Sequence, residues 1–198
     1  TYGDFYFGNW IDSDIGCSED DYAGCDVSRG LSFLYNADAV DDGCQYAIQG
    51  NPPAVGIDFI KGPLKDADGL DNPLTSDVNI AYNQGGIPYP GLGIGYGDGI
   101  IDNERMGMQR FVYFDRTLNQ TIYGDPQTTV DFYNYMRGFW RNNTPFVFGG
   151  TGNQNDQNAT SILTNYCFPG DSDPLNWATV SAGGVSAVPV SYTHLRAH

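Results

Sequence analysis

Residues 10–26 read WIDSDIGCSEDDYAGCD. This stretch crowds six acidic side chains, Asp12, Asp14, Glu19, Asp20, Asp21 and Asp26, around a close pair of cysteines. Charges of one sign at this density repel one another unless they stay in water or converge on a cation. Short Asp side chains on a Gly-containing turn supply the hard oxygen ligands that Ca²⁺ selects, about 6–8 of them at roughly 2.3–2.6 Å. Asp12, Asp14, Asp20, Asp21 and Asp26 are therefore candidate calcium ligands. A solvated acidic loop stapled by a disulfide is the plainer alternative.

The rest of the chain repeats this grammar of short apolar segments and acidic turns. Residues 2–11 (YGDFYFGNWI) are aromatic-rich and short of helix formers, which predicts a strand entering the acidic loop. Alternation predicts further strands over 30–35 and 54–60, the latter with Val55, Ile57 and Phe59 on one face. Strands are also expected over 108–115, 145–149 and 178–189, with a tight turn over 167–174. One helix is expected near 126–140. Asp125 can cap it, Pro126 suits its first position, and Thr128 with Asp131 imitates a capping box. Its spacing sets Val130, Tyr133, Met136 and Trp140 against the sheet. The fold class this predicts is mostly β, an antiparallel, jelly-roll-like β-sandwich with one short helix and long Asp/Gly-rich loops.

Composition narrows the function. The 24 acids outnumber 9 Lys and Arg for a net charge of −15, and they comprise 22 Asp and only 2 Glu. Asp is the acid of turns and calcium loops, whereas Glu favours helix surfaces. So acidic a chain has nothing to neutralise phosphates, which argues against nucleic acid as a partner. No apolar run reaches the 18 residues that a membrane helix needs. Cys17, Cys25, Cys44 and Cys167 form no CxxC pair, so two disulfides in an oxidising compartment are expected. Three pairings are possible; Cys17–Cys25 with Cys44–Cys167 is preferred because the first closes one short loop.

Residues 64–104 are the least regular, and both ends carry acids. DADGLDN (66–72) offers Asp66, Asp68 and Asp71, and DGIIDNE (98–104) offers Asp98, Asp102 and Glu104. Each sets Asp, Gly and Asn together as calcium loops do, although neither fits the 12-residue EF-hand frame. These six join the candidate calcium ligands, for one or more ions.

The last nine residues, 190–198 (VSYTHLRAH), resemble a translated sequencing-library adapter and are set aside as artefact. Their removal is expected to cost nothing. Both histidines, His194 and His198, lie there. Without them no Ser-His, Cys-His or His-metal chemistry is available. Residues 1–189 are then expected to be a single β-rich domain, a fragment truncated at both ends.

The order WIDSDIGCSEDDYAGCD, YNAD (35–38), NPPAVGIDFIKGP (51–63), DGLDN, GDGIIDNE, YNYMRGFWRNNTP (133–145), FGGTG (148–152) and FPGDSDP (168–174) resembles a recurrent region of large secreted proteins of Bacteroidetes-type bacteria. Such proteins often end in a type IX secretion sorting domain. The resemblance implies export, display or release at the cell surface, and no established activity. In that region the two acidic motifs usually run together, as DGIDNxxDGxxDE; here residues 73–97 separate them.

The leading expectation is a non-catalytic, calcium-stabilised module of a secreted or cell-surface multidomain protein, serving structure, adhesion or glycan contact. Its expected partners are neighbouring domains of the same long chain and a glycan or cell-surface ligand. An enzyme alternative is a glycoside hydrolase or lyase working through an Asp/Glu pair. A third is a carbohydrate-binding module in which Trp10, Tyr89, Tyr96 or Trp177 stacks on sugars.

Overall fold

In the computed structural model, the described residues are 5–12, 15–17, 21–26, 29–36, 39–74, 93–115, 121–147, 152–157, 159, 161, 163–167, 188–190 and 193–197. Their regular elements are mostly strands, with one short helix. The strands are β1 (Asn9–Asp12), β2 (Asp21–Asp26), β3 (Leu31–Asn36), β4 (Ala54–Asp58), β5 (Phe111–Asp115), β6 (Val188–Val190) and β7 (Thr193–Ala197); the helix α1 is Thr129–Arg137. Two antiparallel sheets form, one ordered β1-β7-β5 and the other β4-β3-β2-β6. The expected turn over 167–174 and most of the expected strand over 178–189 lie outside the described residues.

Period-two alternation sets the faces of the larger sheet. Ala23 and Cys25 of β2 and Leu34 of β3 point into one apolar cluster, with Val55 and Ile57 of β4 and Phe59 packed against it. On β3 the inward face is Ser32, Leu34 and Asn36. Its larger neighbours Leu31 and Phe33 are only half-buried, and Tyr35 is exposed.

β5 joins two cores. Phe111 belongs to the first cluster, whereas Val112 and Phe114 belong to a second with Tyr135, Trp140, Phe146 and Cys167. A strand buried on both faces reads as an unbroken apolar run, which FVYF is. The second cluster is aromatic: Phe114 stacks on Tyr135 at 5.2 Å, and Trp140 meets Phe146 edge-on at 4.7 Å. Its polar edges are satisfied, since Tyr135 donates to the Gly124 carbonyl at 2.6 Å and Trp140 Nε1 donates to that of Gly152 at 2.8 Å.

α1 starts on the expected capping box, with Thr128 as N-cap and its partner Asp131 three positions on. The cap is thus Thr128 and not Asp125. Gly138 ends the helix in the left-handed conformation, φ 83°. The buried face is also rotated from the expected one: Asp131, Asn134 and Tyr135 are buried, whereas Val130 is exposed and Tyr133 and Met136 are half-buried. Trp140 is buried as expected, but beyond the helix end. Local hydrogen bonding wins over hydrophobic spacing here. Asp131 is held by the N–H groups it caps and by Arg141, and Asn134 by the Arg141 carbonyl.

The cysteines pair differently from the preferred arrangement. Cys17 joins Cys44, while Cys25 and Cys167 are buried thiols in the two separate clusters. Cys25 lies on the inward face of β2, opposite Ser32 of β3 in register, so it is committed to the core. Burial pushes the Cys167 thiol pKa well up.

β7 lies in the segment read as adapter, yet it is the central strand of its sheet, between β1 and β5. Trp10 stands opposite Arg196, and Tyr113 opposite Leu195. Backbone pairing is indifferent to a strand's origin, and Thr193–Ala197 has enough β-propensity to meet two strand edges.

Candidate metal centre

Residues 62–72 and 94–106 form one unit. Lys65 N–H donates to the Glu104 carbonyl at 2.8 Å, Met106 N–H to Pro63 at 2.9 Å, and Arg105 N–H to Ile94 at 2.7 Å. These bonds bring the two acidic motifs side by side although residues 73–93 separate them in sequence. Gly95 makes the approach possible: at φ 89° it is left-handed, and a Cβ there would stand 2.6 Å from Asn103 Oδ1.

The two motifs then cap one another. Asp71 accepts from the N–H groups of Gly97 at 2.8 Å and Gly99 at 2.7 Å. Asp102, itself left-handed at φ 57°, returns the arrangement by accepting from Asp68 N–H at 2.7 Å and Gly69 N–H at 2.9 Å through Oδ1. Each motif repeats the same internal wiring. Asp68 closes an Asx turn on Leu70 N–H and accepts from the Asn72 amide; Asp98 does so on Ile100 N–H and the Asn103 amide. DGLDN and DGIIDN are thus two copies of one local device facing each other.

Beneath them lies Glu104, 2% exposed, which accepts from Asn72 N–H. Among the described residues no basic side chain pairs with it. Tyr96, 7% exposed, stands close enough that Glu104's charge acts on its phenol: burial first, and that charge second, push the Tyr96 pKa up to about 12. The Tyr96 hydroxyl and Asn103 Oδ1 are buried oxygens with no hydrogen-bond partner. Lys65 donates to Asp68 at 2.7 Å, and this bond, with the Asn72 amide next, lowers the Asp68 pKa.

The donors suit a hard cation in kind: carboxylate, amide and phenol oxygens, with neither thiolate nor imidazole among them. Their present arrangement is a hydrogen-bonded clasp, and no three His, Cys, Asp or Glu side chains among the described residues converge as a metal-binding group. Asp102 Oδ2 and Glu104 Oε2 accept no hydrogen bond within the described set, and with Asn103 Oδ1 they are the oxygens left to an ion. Asp66 is exposed and takes no visible part in the clasp.

Of the acids of residues 12–26, two have described contacts. Asp21 is buried and accepts from Ile15 N–H at 3.1 Å, and Asp26 accepts from Arg29 N–H at 3.0 Å and pairs with the Arg29 guanidinium. Asp12 lies on β1, and Asp14, Glu19 and Asp20 lie outside the described residues. The acid that organises this region is Asp41, which the sequence reading passed over. It is buried and accepts from Cys17 N–H at 2.8 Å and from Ile48 N–H, seated where any side chain on Gly16 would collide with it. Its signal was its place three residues before Cys44, the true partner of Cys17.

Of the aromatics considered for sugar stacking, Trp10 is 54% exposed and Tyr96 is buried; Tyr89 and Trp177 lie outside the described residues. Comparison with protein-family models, curated proteins and solved structures finds no match to this chain. Among the described residues no helix is long and apolar enough to cross a membrane.

Proposed function

We propose that the chain is a non-catalytic, calcium-stabilised module of a secreted or cell-surface multidomain protein, of the kind exported by type IX secretion, serving structure, adhesion or glycan contact. The observation that carries this reading is the clasp. Asp68, Asp71, Asp98, Asp102 and Glu104 lie in two interlocked loops in which, among the described residues, Lys65 is the one basic side chain paired with any of them, so their mutual repulsion is relieved most by a divalent ion. Asp102, Asn103 and Glu104 are the residues that would hold it, with Asp68 and Asp98 beside them. The Cys17–Cys44 disulfide supports an oxidising compartment.

An ion that binds only the folded state adds RT ln(1 + [L]/Kd), about 2.7 kcal/mol at 100 times Kd. Extracellular modules work with Kd near 10⁻⁴ to 10⁻³ M, on the order of the free calcium around them. Millimolar calcium is therefore expected to raise the melting temperature, EDTA to lower it, and Glu104→Gln to abolish the difference. Screening alone would act equally from any salt. Indistinguishable melts in calcium and in NaCl of matched ionic strength would refute the proposal.

A further inference from the structure

β5 is built as an interior strand. Its Phe111 packs in the first cluster and its Val112 and Phe114 in the second, so both faces are covered. One of its edges is closed at Phe111, whose N–H donates to the Asn165 carbonyl at 3.0 Å and whose carbonyl accepts from Cys167 N–H at 2.8 Å. Successive residues of a strand turn their backbone groups to opposite edges. Val112 and Phe114, 0% and 1% exposed, therefore present their N–H and C=O groups to the other edge, where β7 stands.

Buried backbone groups are nearly always paired, so this edge requires a strand. FVYF (111–114) carries no charge and no Pro, the devices that blunt a natural edge. β1 closes the far side, antiparallel to β7 and hence parallel to β5. Between them lies a slot about 10 Å wide, two strand spacings.

Backbone pairing is what fills it. Thr193–Ala197 lies in the segment that resembles an adapter, yet it meets both neighbours in continuous register. In strand addition of this kind main-chain bonds supply affinity, and the positions set between neighbouring side chains supply specificity. Here the register sets position 195 between Ile11 and Tyr113, both packed against the first cluster. It also sets acids at the entry, Asp12 opposite 194 and Asp115 opposite 193. A chain of net charge −15 attracts a basic segment and disfavours a second copy of itself as the occupant. We propose that the slot between β1 and β5 is a strand-acceptor site for an extended segment of another protein, apolar at the position of residue 195 and basic at the two positions before it. The proposal rests on none of the acidic loops of the clasp.

The full-length chain carrying His194→Pro and Arg196→Pro tests it, because both substitutions remove N–H donors that β7 directs to Phe114 and Val112. With its edges opened, this variant is expected to self-associate. The probe is the peptide acetyl-Ser-Lys-Arg-Val-Thr-Val-Ser-amide. It should return the variant to monomer, shift the Val112 and Phe114 amide signals of the ¹⁵N-labelled chain, and bind with Kd below about 1 mM. Replacing Lys-Arg in the peptide by Glu-Glu should weaken binding at least about tenfold. N-methylation of its Arg and Thr, which take the positions facing β5, should abolish it. In the wild-type chain, peptide above the roughly millimolar effective concentration of a tethered strand should displace β7. Amide exchange at 194 and 196 then becomes fast while that at 112 and 114 stays slow. Should the variant not fold, this exchange result decides alone. Unmoved Val112 and Phe114 signals, equal binding of the Glu-Glu or the N-methylated peptide, or unchanged exchange in the wild type would each overturn the proposal. Self-association that the peptide leaves intact would give the slot to a second copy and overturn it as well.

Discussion

The carboxylate of Asp102 accepts the backbone N–H of Asp68, 34 positions earlier, at 2.7 Å. Asp71 makes the reciprocal contact to Gly99, so each loop holds the other by the same kind of bond. Removing either acid leaves two backbone donors uncapped, which costs about 1 kcal/mol, as at a helix N-cap. Asp71→Ala and Asp102→Ala are expected to be coupled: once one side opens, the other has less to hold. The double variant should lose less stability than the two singles added together. Strict additivity in urea melts would show that the two caps act independently.

Acid should loosen the entrance to α1. Burial raises the Asp131 pKa, but the N–H groups of Gln127 and Thr128, with the Arg141 charge, outweigh it and bring it below the ordinary 3.8. A carboxyl whose folded pKa is depressed stabilises the fold fully above the unfolded value, and that contribution is lost as pH falls through the folded value. The loss therefore lies below about pH 4. Asp131→Asn should be less stable at neutral pH and should show a shallower fall between pH 4 and pH 2. Parallel stability curves for the two proteins would contradict this assignment.

The disulfide assignment can be checked by counting thiols. Cys17–Cys44 closes a loop of 27 positions, for which the chain-entropy model gives about 3–4 kcal/mol. Cys44→Ser should lower stability on that scale. The wild-type protein should show no thiol reactive to a bulky reagent while folded and two after unfolding, from Cys25 and Cys167. Four protected cysteines after unfolding would mean a second bridge.

A chain ending at residue 192 lacks β7 and leaves β1 and β5 with unpaired edges. Such edges recruit other strands, so the shortened protein is expected to melt lower and to self-associate in light scattering. An unchanged melting temperature and a monomeric mass would instead mark Thr193–Ala197 as a passenger.

What the sequence revealed was local. The strands at 31–36, 54–58 and 111–115 follow from alternation or from an unbroken apolar run, and the Thr128–Asp131 capping box was visible as spacing alone. The helix face was misjudged because Asp131 and Asn134, polar by composition, are buried through their hydrogen bonds. Nearness in sequence misled the cysteine pairing, since Asp41 and Gly16 bring Cys44 to Cys17 from a distance. DGLDN and DGIIDN were recognisable as acidic turns. That each caps the other was not, because the partnership depends on backbone pairing between 63–65 and 104–106 that leaves no residue signature.

The clasp also bears on how such a chain can change over generations. It secures both ends of residues 73–93 independently of what those residues are. The entropic cost of closing a loop rises by only about 0.6 kcal/mol for each doubling of its length. Insertions or deletions between the two turns are thus nearly neutral for the acidic unit, whereas a single exchange at Asp71, Gly95 or Asp102 is not. The clasp is a docking frame in which lineages can trade one insert for another while the frame itself stays under selection.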